Sequence, residues 1–374
     1  MILPYQTLKS VINGSDPMII SDKVISDSQI QPATVDCRIG DRAYRMSTAM
    51  LPKRNEKVLE MIDKYAIYDF EIKEGSILEP NACYIVPLRE KLRLPYGFYA
   101  VFSPKSSTGR LDVFVRVLSD CNSAYDCVKP GYSGNLYLEI IPLSFMVGIA
   151  PDLELTQFRI KSLNKGINGI NGGFLSDEEL RITHSEHGLV YSNGGFILSG
   201  NDEVVIKNDS LYFHAELDRE IVGFQAKKNP IQQIDLFRKK YYELEDFWIP
   251  VKRPKNGELV LSPDCFYLLT TKEKVKIPPS YAAEIVTYDI NVGEFRTHYA
   301  GFFDNNFGGE KGTNVVLEVR VRDVPFRLYD GQPICRMVFE KTTEVPEKLY
   351  GADIGSHYTG SGPKLSKHFK DYQW

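Results

Sequence analysis

A short polar segment, Lys105 to Arg110, concentrates side chains that can bind an anion. It has the sequence KSSTGR and directly follows the apolar run GFYAVFSP. Arginine binds phosphate oxygens through parallel N–H groups and lysine binds them as a point charge, while serine hydroxyls and backbone amides add donors. The spacing is not the Gly-Lys-Ser/Thr pattern of a P-loop, which argues against a kinase or ATPase. We call residues 105–110 the anion loop; a Ser- and Gly-rich turn with solvated charges is the alternative.

One glutamate lies in a strand whose composition suits a protein core. In GNLYLEIIP, Leu136, Leu138 and Ile140 alternate onto one face, which places Glu139 on the other. A carboxylate flanked by Leu and Ile is costly to desolvate unless it is paired or has a chemical task. Apolar neighbours would also raise its pKa toward that of a general base. Glu139 is therefore a candidate acid–base residue; a glutamate on the wet face of an edge strand is the alternative.

The C-terminal segment GSHYTGSGPKLSKHFK, residues 355–370, is basic and rich in Gly, Ser and Pro. This composition predicts little packed surface, as in a disordered terminus. A lid that closes over an anionic ligand is the functional alternative. Near the other end of the chain, QIQPATVDCRIG, residues 29–40, reads as a strand with a polar face.

Composition and charge exclude several classes of partner. The net charge is −4, so no broad basic surface would attract nucleic acid. The uncharged, apolar run at residues 140–151 is short and interrupted by proline, which argues against a membrane span. Six cysteines are scattered singly and the N-terminus has no signal-peptide pattern, so we expect a reduced, cytoplasmic protein.

Most of the chain reads as β-structure after a short N-terminal helix. Short β-branched and aromatic runs such as CYIVPL and NLYLEIIPL are separated by Pro, Gly, Asn and Asp. No long amphipathic helix alternates with these runs, which argues against a doubly wound α/β fold. The sequence therefore predicts a mainly β fold.

An internal repeat divides the chain into two copies. ILEPNACYIVPLREKLRLP recurs without a gap as VLSPDCFYLLTTKEKVKIP, and NLYLEII recurs as NVVLEVR, which aligns Glu139 with Glu318. A single pair of units indicates tandem duplication of a domain, because a solenoid needs more copies to close its core. We expect a catalytic first domain over 1–165, a Gly/Asn-rich linker over 166–200 and a second domain over 201–374.

Taken in order, several of these pieces resemble one known family. ILPYQTLKSVI, QPATVDCRIG, PKSSTGR, PGYSG followed by LEI, and Y…HYTGSG resemble the dCTP deaminases of the dUTPase-like superfamily, in their long, tandem-domain bacterial form. The resemblance runs over essentially the whole chain. It implies two tandem dUTPase-like domains, each a distorted β-barrel or jelly roll.

The resemblance also implies a role for each matched residue. Glu139 falls on the family's catalytic carboxylate. Ser106 and Arg110 would fix the attacking water and steady the charge that develops in the reaction. The implied substrate-binding residues are Lys105, Ser106, Ser107, Arg110, Ser119, Tyr132, Tyr350, His357 and Ser361.

The chain departs from the family pattern at several of these positions. Lys105 stands where the family usually has Arg, and His357 and Ser361 stand where it often has Lys and Gln. Lys129 occupies the position of the carboxylate that reads the sugar 3′-hydroxyl. The second copy keeps an aspartate there, Asp304, but has lost Ser-Ser-x-x-Arg.

The implied reaction is hydrolytic deamination of dCTP to dUTP and ammonia, which supplies dUTP for thymidylate synthesis. The sequence has no H-x-E…P-C-x-x-C pattern, so we expect a mechanism without protein-bound zinc, with Glu139 as general base. Mg²⁺ is expected to accompany the triphosphate, held mainly by phosphate. A dUTP pyrophosphatase or bifunctional deaminase–pyrophosphatase, and a non-catalytic nucleotide-binding module, are the alternatives.

The two unlike copies also suggest an assembly. Sites of the family lie between neighbouring domains, so we expect a homotrimer that binds one nucleotide per chain, at the first copy. Glu318 would then be a vestige. The sequence leaves open whether Asp304 completes a site begun by the other copy.

Overall fold

The computed structural model describes residues 1–163, 173–200, 203–286, 295–297, 301–321, 323–354, 358 and 362–372. Its helices are α1 (Tyr5–Asn13), α2 (Val58–Tyr65), α3 (Ser106–Gly109), α4 (Asp177–His187) and α5 (Leu244–Phe247), with a 3₁₀ turn at Asp27–Gln29. The strands of the first copy are β1 (Ile19–Ser21), β2 (Val35–Arg38), β3 (Arg42–Met46), β4 (Ala66–Glu71), β5 (Ser76–Leu78), β6 (Cys83–Pro87), β7 (Glu90–Arg93), β8 (Phe98–Pro104), β9 (Val113–Ser119), β10 (Cys127–Val128), β11 (Ser133–Gly134), β12 (Leu136–Pro142), β13 (Val147–Ile149) and β14 (Glu154–Ser162). Those of the second are β15 (Val190–Tyr191), β16 (Val205–Lys207), β17 (Ser210–His214), β18 (Ile221–Ala226), β19 (Ile234–Asp235), β20 (Trp248–Lys252), β21 (Glu258–Leu261), β22 (Phe266–Val275), β23 (Tyr281–Val286), β24 (Phe295–Thr297), β25 (Phe302–Phe303), β26 (Thr313–Val321), β27 (Phe326–Tyr329) and β28 (Pro333–Lys341).

The two largest sheets of the first copy are antiparallel and share one core. One sheet has the strand order β10–β8–β14–β2 and the other β4–β3–β6–β12–β9. Alternation along β12 places Leu136, Leu138 and Ile140 in that core, where all three are fully buried. The predicted mainly β fold with a short N-terminal helix is confirmed.

The second copy repeats this arrangement with sheets β20–β18–β22–β26–β24 and β16–β17–β28–β23–β25. In the first copy Glu139 lies opposite Ile85, and in the second Glu318 lies opposite Leu268. Ile85 and Leu268 are themselves equivalent in the sequence repeat. The duplication is thus reproduced in strand register, and the two glutamates occupy the same place in their sheets.

Part of the predicted linker belongs to the second core. Residues 164–172 lie outside the described part of the chain. Beyond them, Leu175, Leu180 and Leu189 are fully buried among the apolar side chains of the second copy. Helix α4 begins with a capping box in which Ser176 accepts a hydrogen bond from the Glu179 N–H. The second domain therefore extends further toward the N-terminus than residue 201.

The two copies are joined by strand pairing and by buried charge. Strand β13 pairs in parallel with β19, so that Val147 lies opposite Ile234. Lys161 of the first copy and Glu340 of the second form an ion pair of 2.8 Å, and each side chain is about 5% exposed. Separating such a buried pair would leave two unpaired charges, so the contact fixes the orientation of the copies.

The C-terminal segment packs against the joint between the copies. Leu365 and Phe369 are 6% and 4% exposed and belong to the first copy's core cluster. The Phe369 ring lies 5.7 Å from that of Phe247 and 6.1 Å from that of Trp248. The expectation that the tail packs little surface is therefore wrong for residues 365–369, because two large apolar side chains among its polar residues find a buried site.

Candidate active site

A cleft of about 530 Å³ lies where the anion loop of the first copy faces the second copy. Its walls come from the first copy, from β25, the turn that follows it and Lys239 in the second copy, and from the C-terminal part of the chain. They include Asp36, Lys105, Ser106, Ser107, Arg110, Glu154, Lys239, Phe302, Phe303, Asp304, Phe307, Tyr350, Tyr358 and Lys367. The four polar residues predicted in the anion loop are thus brought together at one cleft, and Tyr350, which precedes the C-terminal segment, joins them.

The anion loop is held rigidly at the end of β8. The Lys105 N–H donates to Leu155 O (3.1 Å) and Thr108 Oγ1 donates to the same carbonyl (3.2 Å), which ties the loop to β14. The Arg110 N–H donates to Ser106 O (3.1 Å) and completes the single turn of α3. These bonds satisfy the backbone of a segment that would otherwise be a loose turn.

Lys105 is already paired with two carboxylates. Its Nζ contacts Asp36 and lies 3.0 Å from Glu154 Oε2. Burial raises the pKa of Asp36 to about 6, although the Lys105 charge opposes this shift. Burial also disfavours the Lys105 cation, but the two carboxylates outweigh it and hold the lysine pKa above its ordinary value. Lys105 therefore stays charged, and much of its charge is compensated by its partners.

Arg110 is covered by the C-terminal segment. Its guanidinium stacks over the ring of Tyr358, 3.9 Å from the centroid, and Nη1 donates to Lys364 O (2.6 Å). Burial raises the pKa of the Tyr358 hydroxyl, so it stays protonated at neutral pH. The cation–π contact and the carbonyl fix the plane of the guanidinium at the cleft.

The second copy contributes a carboxylate to the cleft. The Ala33 N–H of the first copy donates to Asp304 Oδ1 (3.3 Å), so Asp304 bridges the copies. Burial, and secondarily the charge of Asp36, raise its pKa to about 7. Asp304 is therefore near its titration point at neutral pH.

Aromatic rings line the same wall. The rings of Phe303 and Phe307 lie 4.9 Å apart, and those of Phe307 and Tyr350 lie 5.6 Å apart. Asn306 Nδ2 donates to Tyr350 O (3.0 Å) and holds the tail against the turn. The wall offers flat apolar surfaces beside a carboxylate, which suits a sugar or a base.

Glu318 lies directly against the anion loop. It is 2% exposed on β26. A Cβ at Gly109 would collide with its carboxylate, since Oε2 would lie 2.6 Å from that atom. Only glycine leaves room here for the carboxylate to approach the turn. The structure therefore brings a buried carboxylate of the second copy to the anion loop of the first.

Glu139 occupies a different environment, away from the cleft walls. Cys83 Sγ lies 3.7 Å and the Tyr125 hydroxyl 3.4 Å from its Oε2. It is 1% exposed, and burial raises its pKa. The apolar cluster around it includes Val58 and Ile62 of α2, a helix that covers this face of the first copy. Glu139, predicted as the general base beside Ser106 and Arg110, does not line the cleft that contains them. Glu318 does not line it either, but its carboxylate lies against Gly109 of the anion loop.

Comparison of the sequence with models of known protein families identifies the family of this chain. Models of the 2′-deoxycytidine 5′-triphosphate deaminase N-terminal and C-terminal domains match residues 1–164 and 176–369. The chain belongs to this family. The predicted resemblance is confirmed, and with it the enzyme class and dCTP deamination as the reaction of the family.

Individual dCTP deaminases support the assignment. The crystal structure of 2′-deoxycytidine 5′-triphosphate deaminase from Agrobacterium tumefaciens is 35% identical, with a TM-score of 0.84 over 95% of this chain and 99% of that one. A "dCTP deaminase, dUMP-forming" of Methanosphaera stadtmanae is 33% identical over 35% of this chain and 66% of its own length. A "dCTP deaminase" of Halorubrum lacusprofundi is 27% identical over 39% of this chain and 72% of its own.

The other predicted residues of this dCTP deaminase family member fall in two groups. Ser119 accepts a hydrogen bond from Asn122 Nδ2 (3.0 Å), and the Tyr132 hydroxyl bonds Asn135 O. Ser119 is the last residue of β9 and Tyr132 directly precedes β11. Neither residue lines the cleft. His357 and Ser361 lie outside the described residues.

The role of Glu139 as general base stays a prediction, and the structure places this residue away from the cleft. Two signals pointed to the second copy. Asp304 stands just before the turn that follows β25, where the first copy has Lys129. Gly109 within the anion loop marks a close approach of another group. Neither signal alone says that the two copies meet at this point.

No group of three or more His, Cys, Asp or Glu side chains in the described ranges is arranged to hold a metal ion. A mechanism without protein-bound zinc therefore stays a prediction. Among the helices in those ranges, none is long and apolar enough to cross a membrane. All six cysteines are free thiols.

Proposed function

We propose that this chain hydrolyses dCTP to dUTP and ammonia at the cleft between its two copies, with Glu318 as general base. The observation that carries the proposal is the packing of the Glu318 carboxylate against Gly109 of the anion loop. It puts a carboxylate against the same short turn that carries Ser106 and Arg110. Glu318 then takes the role expected of Glu139 from sequence.

In this mechanism Glu318 removes a proton from water as the oxygen adds to C4 of cytosine, and passes it to N3, which gives a tetrahedral intermediate. A second proton then moves from the new C4 hydroxyl to the exocyclic nitrogen, and the C4–N bond breaks as the C4=O bond forms, which releases ammonia. Ser106 would orient the water. The positive charge of Arg110 would stabilise the negative charge that develops near C4.

The remaining walls suit the rest of a deoxynucleotide. Asp304 can accept a hydrogen bond from the sugar 3′-hydroxyl, and the rings of Phe303, Phe307 and Tyr350 can pack on the sugar face. We propose that Mg²⁺ arrives with the triphosphate and is held mainly by its oxygens. It would compensate phosphate charge, while the chain's own residues hold the base and sugar.

A bifunctional enzyme that continues to dUMP and pyrophosphate is the second candidate. Asp36 and Asp304 line the cleft with pKa values raised to about 6 and about 7. Carboxylates that titrate near neutrality can activate a second water for attack on a phosphate. Some relatives carry the words "dUMP-forming" in their names.

Incubation of the purified protein with dCTP tests these proposals. Ammonia released in step with dUTP, separated by ion-exchange chromatography, is the expected result. Ammonia in step with dUMP and pyrophosphate would favour the bifunctional enzyme. Nucleotide binding without either product would favour a non-catalytic module and contradict the proposal.

The homotrimer and the cytoplasmic location predicted from sequence stay predictions. One chain supplies the anion loop, Glu318 and Asp304, so assembly is not needed to bring these three together. The mass of the protein in solution, measured by light scattering, tests the trimer.

A further inference from the structure

The anion loop alone does not give the cleft a positive charge. Lys105 and Arg110 face three carboxylates of the same walls, Asp36, Glu154 and Asp304. Lys105 is ion-paired with two of them. A triphosphate carries several negative charges, so its binding needs cations that are not already compensated.

Two further lysines line this cleft, and neither was singled out by the sequence motifs. Lys239 precedes α5 in the second copy, and Lys367 lies in the C-terminal segment. Neither ammonium lies within ion-pair distance of a carboxylate in the described part of the chain, in contrast to Lys105. Burial lowers the pKa of Lys367 to about 8; the charges of Lys105 and Lys239 add to this shift, and those of Asp36 and Glu154 oppose it. The cations therefore lie close enough to repel one another, and an anion among them would relieve that repulsion.

The C-terminal segment is tied directly to the anion loop. Ser366 Oγ donates to Ser107 O (2.7 Å). On its other side, Ser366 Oγ lies 2.8 Å from His368 Nδ1, and His368 Nε2 lies 3.1 Å from Leu236 O. Burial lowers the pKa of His368 to about 4, so it is neutral at neutral pH. This chain of contacts fixes the segment between the anion loop and the second copy.

Backbone hydrogen bonds also join the C-terminal segment to the residues that follow Lys239. The Lys240 N–H donates to Lys367 O (3.0 Å), and the Tyr241 N–H donates to His368 O (2.9 Å). The residues that carry the two lysines are thus adjacent in space and held by main-chain bonds. The main chain at both lysines is therefore held in place by the fold.

We propose that Lys239 and Lys367 bind the terminal phosphates of dCTP and give this enzyme its preference for a triphosphate over a monophosphate. The inference rests on the proposed function. It assigns phosphate recognition to a segment of the second copy and to the fixed part of the tail, beyond the anion loop. Two cations without carboxylate partners on one wall offer charge-assisted hydrogen bonds to phosphate oxygens.

The test compares Lys239→Met and Lys367→Met with Lys240→Met. Lys240 neighbours Lys239 but pairs with Asp371 (2.6 Å) and does not line this cleft. Lys240→Met therefore removes the same charge outside the cleft and serves as the matched control. Dissociation constants for dCTP, dCDP and dCMP are measured by calorimetry, together with kcat and KM for dCTP. Each cleft variant should weaken dCTP binding by about tenfold or more and dCMP binding by only a few-fold. Lys240→Met should change neither.

Equal weakening of dCTP and dCMP would overturn the proposal, because it would indicate a structural role. The same would follow if Lys240→Met weakened dCTP binding as much as the cleft variants. Lys367→Met should fold, since it replaces a partly buried cation by an apolar chain of similar length; if it does not, Lys239→Met and Lys367→Gln carry the test. Wild-type ammonia release is measured alongside, so that a failure of the proposed reaction is seen separately from the effect on binding.

Discussion

Two glutamates at the same position of two related sheets have different surroundings. Glu139 lies under α2 with Tyr125 and Cys83, and Glu318 lies against Gly109 of the other copy. In each copy the strand register is the same, so the difference comes from what covers the sheet. The first copy has the anion loop, and the second copy has the two acidic residues that approach it, Glu318 and Asp304. The comparison shows that equivalent residues in a repeat need not have equivalent surroundings.

The largest difference between the copies should be catalytic. Glu318→Gln should lower kcat for ammonia release by about 10²–10⁴-fold, because it removes a base while keeping size and hydrogen bonding. Glu139→Gln is the matched control and should leave kcat within a few-fold of wild type. A coupled assay for ammonia with saturating dCTP gives both values. The reverse pattern would assign the chemistry to the first copy's own glutamate.

A second prediction concerns the stability that the C-terminal segment provides by packing at the joint between the two copies. Phe369→Ala should destabilise the protein by about 3–5 kcal/mol, because the ring is 4% exposed among aromatic neighbours. Phe196→Ala, at a side chain that is 76% exposed, should have almost no effect on stability. Urea denaturation followed by fluorescence measures both. Little loss of stability in Phe369→Ala would mean that the tail is not part of the core in solution.

A third prediction concerns the approach of Glu318 to the anion loop. Gly109→Ala should lower kcat/KM for dCTP by about ten- to a hundredfold, because the new methyl group must displace the carboxylate or the turn. Gly97→Ala is the control, since nothing lies within 4 Å of a Cβ at that position. If Gly109→Ala had full activity, the contact would not matter to the reaction.

The smallest effect should be a pH-dependent change in stability at Asp304. Its pKa is raised to about 7 by burial, so the folded state binds more protons than the unfolded state between about pH 4 and 7. The contribution of this group to stability therefore falls as pH rises through 7. Asp304→Asn should raise the melting temperature relative to wild type at pH 8, with a smaller difference at pH 5.5, while weakening dCTP binding.

Asp330→Asn provides the contrasting control in the same copy. The ion pair with Lys272 (2.6 Å) outweighs burial and lowers the pKa of Asp330. That stabilisation is lost only as pH falls through the lowered pKa, so Asp330→Asn should cost the same stability at pH 5.5 and pH 8. A melting-temperature difference for Asp304→Asn that does not change with pH would contradict the shift.

Much of the fold and some of the site could be predicted from the sequence. The alternation in β12, the repeat and the anion loop are local patterns, and each was found at its expected place. The partnership of Gly109 with Glu318 could not be predicted, because it depends on how the copies dock. The spacing of Leu365 and Phe369 likewise does not indicate a buried tail, since only the joint between the copies provides their site.

The central claim is that one chain supplies both halves of the active site. It is tested most directly by mixing two inactive variants, Arg110→Ala and Glu318→Gln, after denaturation and joint refolding. Each chain then carries one defective half, so the mixture should release ammonia no faster than the sum of the separate variants. Recovery of a substantial fraction of wild-type activity would mean that intact halves from different chains combine, and would contradict the account.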